Sequence, residues 1–186
     1  ISFNVTPILI EFEKENNAPE GERPPGDDWP VTYTLTARVA LNNTVTDLII
    51  NDVLPAGFVL DVPSVTVPGG CVLNTANPLN VSCATINGTG GNDVVITYSG
   101  YFDDILDETN CGSQTLTNNA TLDADFMGSA VPQETASNDV VVEHFSVQKS
   151  SDVNVASPGD IVTFTLNMQL SEFASSNAMI IQDTLD

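Results

Sequence analysis

The chain has 186 residues, 41% of them hydrophobic, and sets 25 Asp and Glu against 4 Lys and Arg for a formal charge of −21. Such a surface repels nucleic-acid phosphate and anionic lipid, and no run approaches the roughly 18 apolar residues of a membrane helix. Nucleic acid is therefore excluded as a partner, as is direct membrane insertion of this segment.

The length suffices for one full hydrophobic core and part of a second. A medium whose salt or divalent cations screen charge beyond about 8 Å would tolerate the acidity, and solubility alone is the simpler explanation. Val, Thr, Ile and Leu dominate, punctuated by 12 Gly and 11 Pro, which predicts short strands and turns. Apolar residues alternate from the start, the mark of strands with one buried face. Ile8, Ile10, Phe12 and Lys14 share one face of a first strand. Val31, Tyr33, Leu35, Ala37 and Val39 share a face of the second, with Thr32, Thr34 and Thr36 opposite. Leu48, Ile50, Asp52 and Leu54 follow, then PAGF as a turn. Short runs at Ser64–Val67, Cys71–Asn74 and Val81–Thr85 precede longer strands at Asp93–Phe102 and Thr115–Ala124, and Asn138–Glu143 closes the set. Turn signals (PPGDD, PAG, PGG, NGTGGN, CGS) recur at the spacing of a sandwich, and no amphipathic helix is expected. The predicted fold is all-β, an immunoglobulin-like β-sandwich of seven to nine strands spanning residues 8–143.

A second copy of the opening follows. IEFEK, PPGDDWPVTYTLTARV and LIINDVLP in the first part match HFSVQK, SPGDIVTFTLNMQ and MIIQDTLD in the second. The only two lysines, Lys14 and Lys149, are 135 positions apart (149 − 14), and Asp52 and Asp183 are 131 apart (183 − 52). So long a period denotes whole β-domains in tandem. Residues 144–186 are expected to be the opening strands of a second, truncated repeat, and residues 1–7 the closing strand of a preceding one. Both ends thus look cut from something longer. VVVEHFSVQK crosses from the first copy to the second without Gly or Pro, which predicts a stiff junction.

These features, in this order, resemble a known family. They are a first-strand lysine, PGD before V-T-Y/F-T-L, D-x-L-P after two isoleucines, a paired cysteine stretch, and a late NNAT followed by SNDVVV. The family is the bacterial and archaeal surface-repeat domain called domain of unknown function eleven, related to the isopeptide-forming domains of fimbrial shaft proteins. The match covers the first copy and the opening of the second. It departs from the pattern in two residues inserted before Pro30, and in Asp186 standing where the first copy has Pro55.

Parity turns Lys14, Asp52 and Asn138 toward the apolar side of their strands. Each is costly to bury alone, and together they can satisfy one another. Burial favours a neutral amine and a protonated acid, which could polarise the Asn138 amide for attack and leave a Lys–Asn isopeptide bond. The resemblance implies those roles, with Lys149 and Asp183 as the second repeat's counterparts. The alternative is that Lys14 snorkels or pairs with Asp52 without a covalent bond.

Cys71 and Cys83 bracket a hairpin-like stretch and are either a disulfide, suited to an extracytoplasmic protein, or small buried thiols, with Cys111 left over. Sequons stand at Asn4, Asn42, Asn80, Asn87 and Asn119, where about three would arise by chance. Acidic clusters at Asp27–Asp28, Asp103–Asp104–Asp107–Glu108 and Asp123–Asp125 could take Ca²⁺, or be solvated loops; none has EF-hand spacing. No other cofactor and no other metal is implied. The sole histidine, His144, falls at the junction without a nucleophile motif, so no enzyme activity is expected beyond autocatalytic crosslinking.

The expected function is a structural repeat of an extracellular fibre, stalk or surface adhesin, assembled end to end. Its partners are copies of itself or neighbouring repeats. The alternatives are an adhesive module that recognises a glycan or protein through sandwich-end loops, with Trp29 the sole tryptophan available as a platform, and a fragment of a surface hydrolase.

Overall fold

A computed structural model describes residues 8–91, 93–106, 112–176 and 178–184. The predicted closing strand at residues 1–7 with its Asn4 sequon, the acidic positions Asp107 and Glu108, and Cys111 lie outside the described residues. The strands run, in chain order, β1 (Ile10–Asn16), β2 (Glu22–Arg23), β3 (Val31–Val39), β4 (Thr44–Val53), β5 (Phe58–Thr66), β6 (Cys71–Ala76) and β7 (Leu79–Asn87). They continue with β8 (Val94–Phe102), β9 (Ser113–Phe126), β10 (Ser129–Ala130), β11 (Glu134–Glu143), β12 (Phe145–Ser151) and β13 (Phe164–Leu170). No helix of the described residues is long and apolar enough to cross a membrane.

Two sheets face one another across a common core. One has the order β1-β3-β8-β5; the other runs β2-β11-β9-β4-β7-β6, with β10 folded back on β9. The alternation read from sequence is the reason: Val31, Tyr33, Leu35 and Ala37 are fully buried while the threonines between them are half-exposed. Val94, Ile96, Tyr98 and Phe102 of β8 oppose Val45, Leu48, Ile50, Leu79, Val81 and Leu122 from the second sheet. Tyr33, Phe58, Tyr98 and Phe102 form an aromatic cluster with ring centroids 5.3–6.2 Å apart. The architecture is an immunoglobulin-like β-sandwich. The structure adds the two-residue strands β2 and β10, and it extends the predicted strands at 64–67 and 138–143 backwards to Phe58 and Glu134. Pairing with β8 and β9 holds those leading residues in place.

The second copy forms a two-stranded sheet whose register repeats that of the first. Lys14 stands opposite Leu35 on the β1–β3 ladder, and Lys149 stands opposite Leu166 on the β12–β13 ladder. At the junction the PPGDDW loop is a docking element. Pro24, Pro25 and Gly26 are buried, Ser171 donates its hydroxyl to the Pro25 carbonyl at 2.8 Å, and the Trp29 indole donates to the Leu170 carbonyl at 2.8 Å. Gly26 has φ +127°, and a side chain there would strike the Glu172 carboxylate.

Gly100 sits in mid-β8 between Val31 and Leu60. A Cβ there would lie 2.3 Å from the Val59 carbonyl and 2.7 Å from the Phe58 ring. Gly100→Ala is expected to lower unfolding free energy by about 1–3 kcal/mol in urea titrations. Gly112→Ala, with open space around it, should stay within about 0.5 kcal/mol of the parent.

Candidate functional site

The five residues of the site come from five strands. From the first sheet, β1 supplies Lys14, β3 Tyr33 and β8 Tyr98. From the second, β4 supplies Asp52 and β9 Asn118. Each falls on the inward parity of its strand, and each is 0–5% exposed. The Lys14 ammonium donates to Asp52 Oδ2 at 2.6 Å. The same oxygen accepts from the Tyr98 hydroxyl at 2.6 Å, and that hydroxyl accepts from Asn118 Nδ2 at 2.7 Å. Lys14 Nζ lies 5.2 Å from the Tyr33 ring centre and 5.9 Å from that of Tyr98, so two stacked rings wall the amine. One hydrogen-bonded chain therefore runs from amine to carboxylate to phenol to carboxamide and bridges the sheets.

Burial dominates the electrostatics. Desolvation pulls the Lys14 amine down to about 8, against the opposing charge and hydrogen bond of Asp52. Desolvation also pushes both tyrosines well above their ordinary range, reinforced by the charge of Asp52, so they stay protonated. Asp52 Oδ1, Asn118 Oδ1 and the Tyr33 hydroxyl are buried without a hydrogen-bond partner. Two of these three are acceptors on the chain just traced.

The second copy holds the same pair. Lys149 Nζ is 2.6 Å from Asp183 Oδ1 and 4.5 Å from the ring centre of Phe164, the counterpart of Tyr33. Here the side chains are 35% and 32% exposed, because no second sheet covers them among the described residues. The burial expected for Lys149 by analogy with Lys14 is thus not present.

Asn138 is drawn elsewhere. It faces inward and is half-buried, directly opposite Asn118 on the β11–β9 ladder, and its side-chain oxygen accepts from Asn16 Nδ2. Asn16 Nδ2 also reaches the Asp139 carbonyl at 3.0 Å, tying β1 to β11. Among the described residues no hydrogen bond joins Asn138 to Lys14 or Asp52. Asn118 and Tyr98 escaped the sequence reading, although parity marks Asn118 as the one polar residue in the buried row Leu116, Asn118, Ala120, Leu122, Ala124.

Cys71 and Cys83 are disulfide-bonded across β6 and β7, with Cα atoms 4.1 Å apart. The sequon residues Asn42, Asn87 and Asn119 are exposed, while Asn80 is half-buried and bonded to Asn51 and Asn74. Asp27 and Asp28 meet Glu172 with carboxylate oxygens within 4.8 Å, and Glu172 accepts from the Asp28 amide at 2.6 Å. His144 is buried at the junction, and burial, the charge of Glu22 and a hydrogen bond with Glu22 raise neighbouring Glu143 to about 7.

No family model and no curated protein matches this sequence. Its fold is similar to that of a variant of BcpA, the major pilin subunit of Bacillus cereus, with a TM-score of 0.55 and 8% identity. That alignment covers 87% of this chain and 56% of the pilin. It is similar also to a backbone pilin of Streptococcus pyogenes, with a TM-score of 0.50 and 14% identity over 75% of this chain and 37% of that one. The chain thus spans about half or less of the length of each pilin, and at these identities the likeness is one of fold.

Two measurements check the environment of Lys14. In the folded chain an amine-acylating reagent is expected to label Lys149 and spare Lys14, read by peptide mass spectrometry. Where Lys14 is kept a free amine by replacing both Asn118 and Asn138 with Ala, its folded value near 8 lies below the unfolded value near 10.5. The unfolded state then binds more protons between those values, so stability should be lowest below pH 8 and rise by up to about 3 kcal/mol toward pH 10.5. Adding Lys14→Met should abolish that rise in urea midpoints.

Proposed function

We propose that this chain is a load-bearing segment of an extracellular fibre, stalk or surface-anchored adhesin, braced by an isopeptide bond from Lys14 to an asparagine of the strands that close the sandwich. The observation that carries the reading is the Lys14–Asp52 pair, sealed between the sheets at 2.6 Å with an amine whose neutral form is accessible near neutral pH. A purely structural ion pair gains little from such burial, since removing two charges from water costs about as much as their attraction returns. An amine beside an acid and a carboxamide, by contrast, is the set that amide exchange needs. Attack of Nζ on the carboxamide carbon forms the new C–N bond, Asp52 takes the Nζ proton, and the amide nitrogen leaves as ammonia with that proton. The event occurs once per chain and makes no turnover catalyst.

Other features support the same reading. The register of the second copy repeats that of the first, the junction is hydrogen-bonded through Trp29, Ser171 and Glu172, and a disulfide suits an oxidising compartment. Pilin-like folds accord with assembly through neighbouring repeats or copies of the chain.

The test is the intact mass under denaturing conditions. The wild-type chain is expected about 17 Da below its sequence mass once the disulfide is reduced, and Asp52→Ala at the full mass. A wild-type chain at full mass removes the covalent brace.

A further inference from the structure

Granting that brace, we infer that the carboxamide Lys14 attacks is that of Asn118, held for the reaction by the Tyr98 hydroxyl. Asn118 is fully buried, whereas Asn138, its cross-strand neighbour, is half-buried and engaged by Asn16 at the edge of the sandwich. Asn118 alone of the two is joined to the amine by unbroken hydrogen bonds: Nδ2 to Tyr98 at 2.7 Å, Tyr98 to Asp52 at 2.6 Å, Asp52 to Lys14 at 2.6 Å. The atom that Tyr98 holds is Nδ2, the nitrogen that must leave.

The unpartnered atoms point to the same amide. Asp52 pairs with Ala120 in the β4–β9 register, so Asn118 is its diagonal neighbour on the same face. Asp52 Oδ1 and Asn118 Oδ1 are both acceptors, both buried and both without a donor. A buried acceptor without a donor is costly, and a proton on Asp52 supplies the donor that this pair lacks. That is also the arrangement that polarises the Asn118 carbonyl for attack.

The reaction then balances within the cluster. Lys14 Nζ, as the neutral amine, bonds to Asn118 Cγ as the Asp52 proton passes to Asn118 Oδ1. The carboxylate so formed takes a proton from Nζ, and the Oδ1 proton returns to Asp52 when the intermediate collapses. The Asp52–Tyr98–Asn118 hydrogen bonds reverse direction: the carboxylic acid donates to the phenol oxygen, and the phenol donates its proton to Nδ2. The Cγ–Nδ2 bond breaks, ammonia departs, and both Asp52 and Tyr98 recover their starting state. The product joins β1 of one sheet to β9 of the other.

Proteolysis of the wild-type chain with tandem mass spectrometry tests the assignment without any variant. A branched peptide linking Lys14 to Asn118 is expected. A branch from Lys14 to Asn138 overturns this assignment while leaving the brace intact, and a chain with no mass deficit ends both. Among variants, Asn138→Ala should keep the 17 Da deficit of about one ammonia and Asn118→Ala should lose it; a deficit retained in Asn118→Ala overturns the inference. For Tyr98, pulse-labelled chains quenched in acid report the rate of bond formation. Tyr98→Phe should slow it at least about a hundredfold, the lower end of the usual range for a lost proton-transfer group. Tyr101→Phe, which loses a hydroxyl on the outward face of the same strand and lies outside the site, should not slow it. Equal rates for Tyr98→Phe and wild type would remove Tyr98 from the reaction.

Discussion

An ammonium group enclosed between two β-sheets is the constraint around which this sandwich is arranged. Lys14 sits on the edge strand β1, yet its side chain crosses to the middle of the facing sheet. Such a charge is tolerable only with a partner, and leaving it unpaired costs several kcal/mol. Asp52 provides that partner from β4, a strand flanked on both sides by β7 and β9. Tyr33 and Tyr98 supply polarisable walls, and the Tyr98 hydroxyl gives Asp52 a second donor. Burial makes the amine less charged even against the opposing pull of Asp52, and it holds the Tyr98 hydroxyl in the same hydrogen-bonded chain. Stabilisation and reactivity here have one physical origin, the exclusion of water.

The position of the cluster sets the path of force. In the proposed load-bearing role, tension would enter near β1 and leave through β11 into β12. In the noncovalent fold Asn16 hydrogen-bonds across these two strands, to Asn138 and to the Asp139 carbonyl. A covalent link from β1 to β9 would send the load through the β9–β11 ladder, whose register runs for ten residue pairs from Glu134 to Glu143. Hydrogen bonds loaded in shear along such a ladder break together rather than one by one, so the ladder is the stronger route. Beyond β11 the Pro24–Trp29 loop receives Leu170, Ser171 and Glu172 through three hydrogen bonds, and no glycine or proline lies between Val140 and Lys149.

Much of this was open to inspection in the one-dimensional pattern. Period-two alternation located the long strands, because a sheet with one buried face must place every second residue inside. The same parity put Lys14 and Asp52 inside, and the structure joins them. It also put Asn138 inside, but parity reports a side and not a neighbour. Asn16, at the end of β1, occupies the Asn138 carboxamide, and that contact spans 122 positions of sequence. Asn118 is legible by the same rule, as the polar member of an apolar row, although it also falls within the NNAT that carries the family resemblance. Trp29, the sole tryptophan, donates its indole N–H to the Leu170 carbonyl at the junction, a contact that depends on the second copy packing against the first.

Sequence alone determined the class of fold, the repeat and the burial of one lysine with one aspartate, since each follows from short-range periodicity and from the cost of an unpaired charge. Only the tertiary structure decided which carboxamide is hydrogen-bonded into the chain that ends at the amine, which tyrosine stands in that chain, and that Lys149 lies open where Lys14 is sealed. Those are questions of which strands become neighbours. Sheet order brings together residues from five separate strands, and nothing in the local pattern of any one strand encodes the other four.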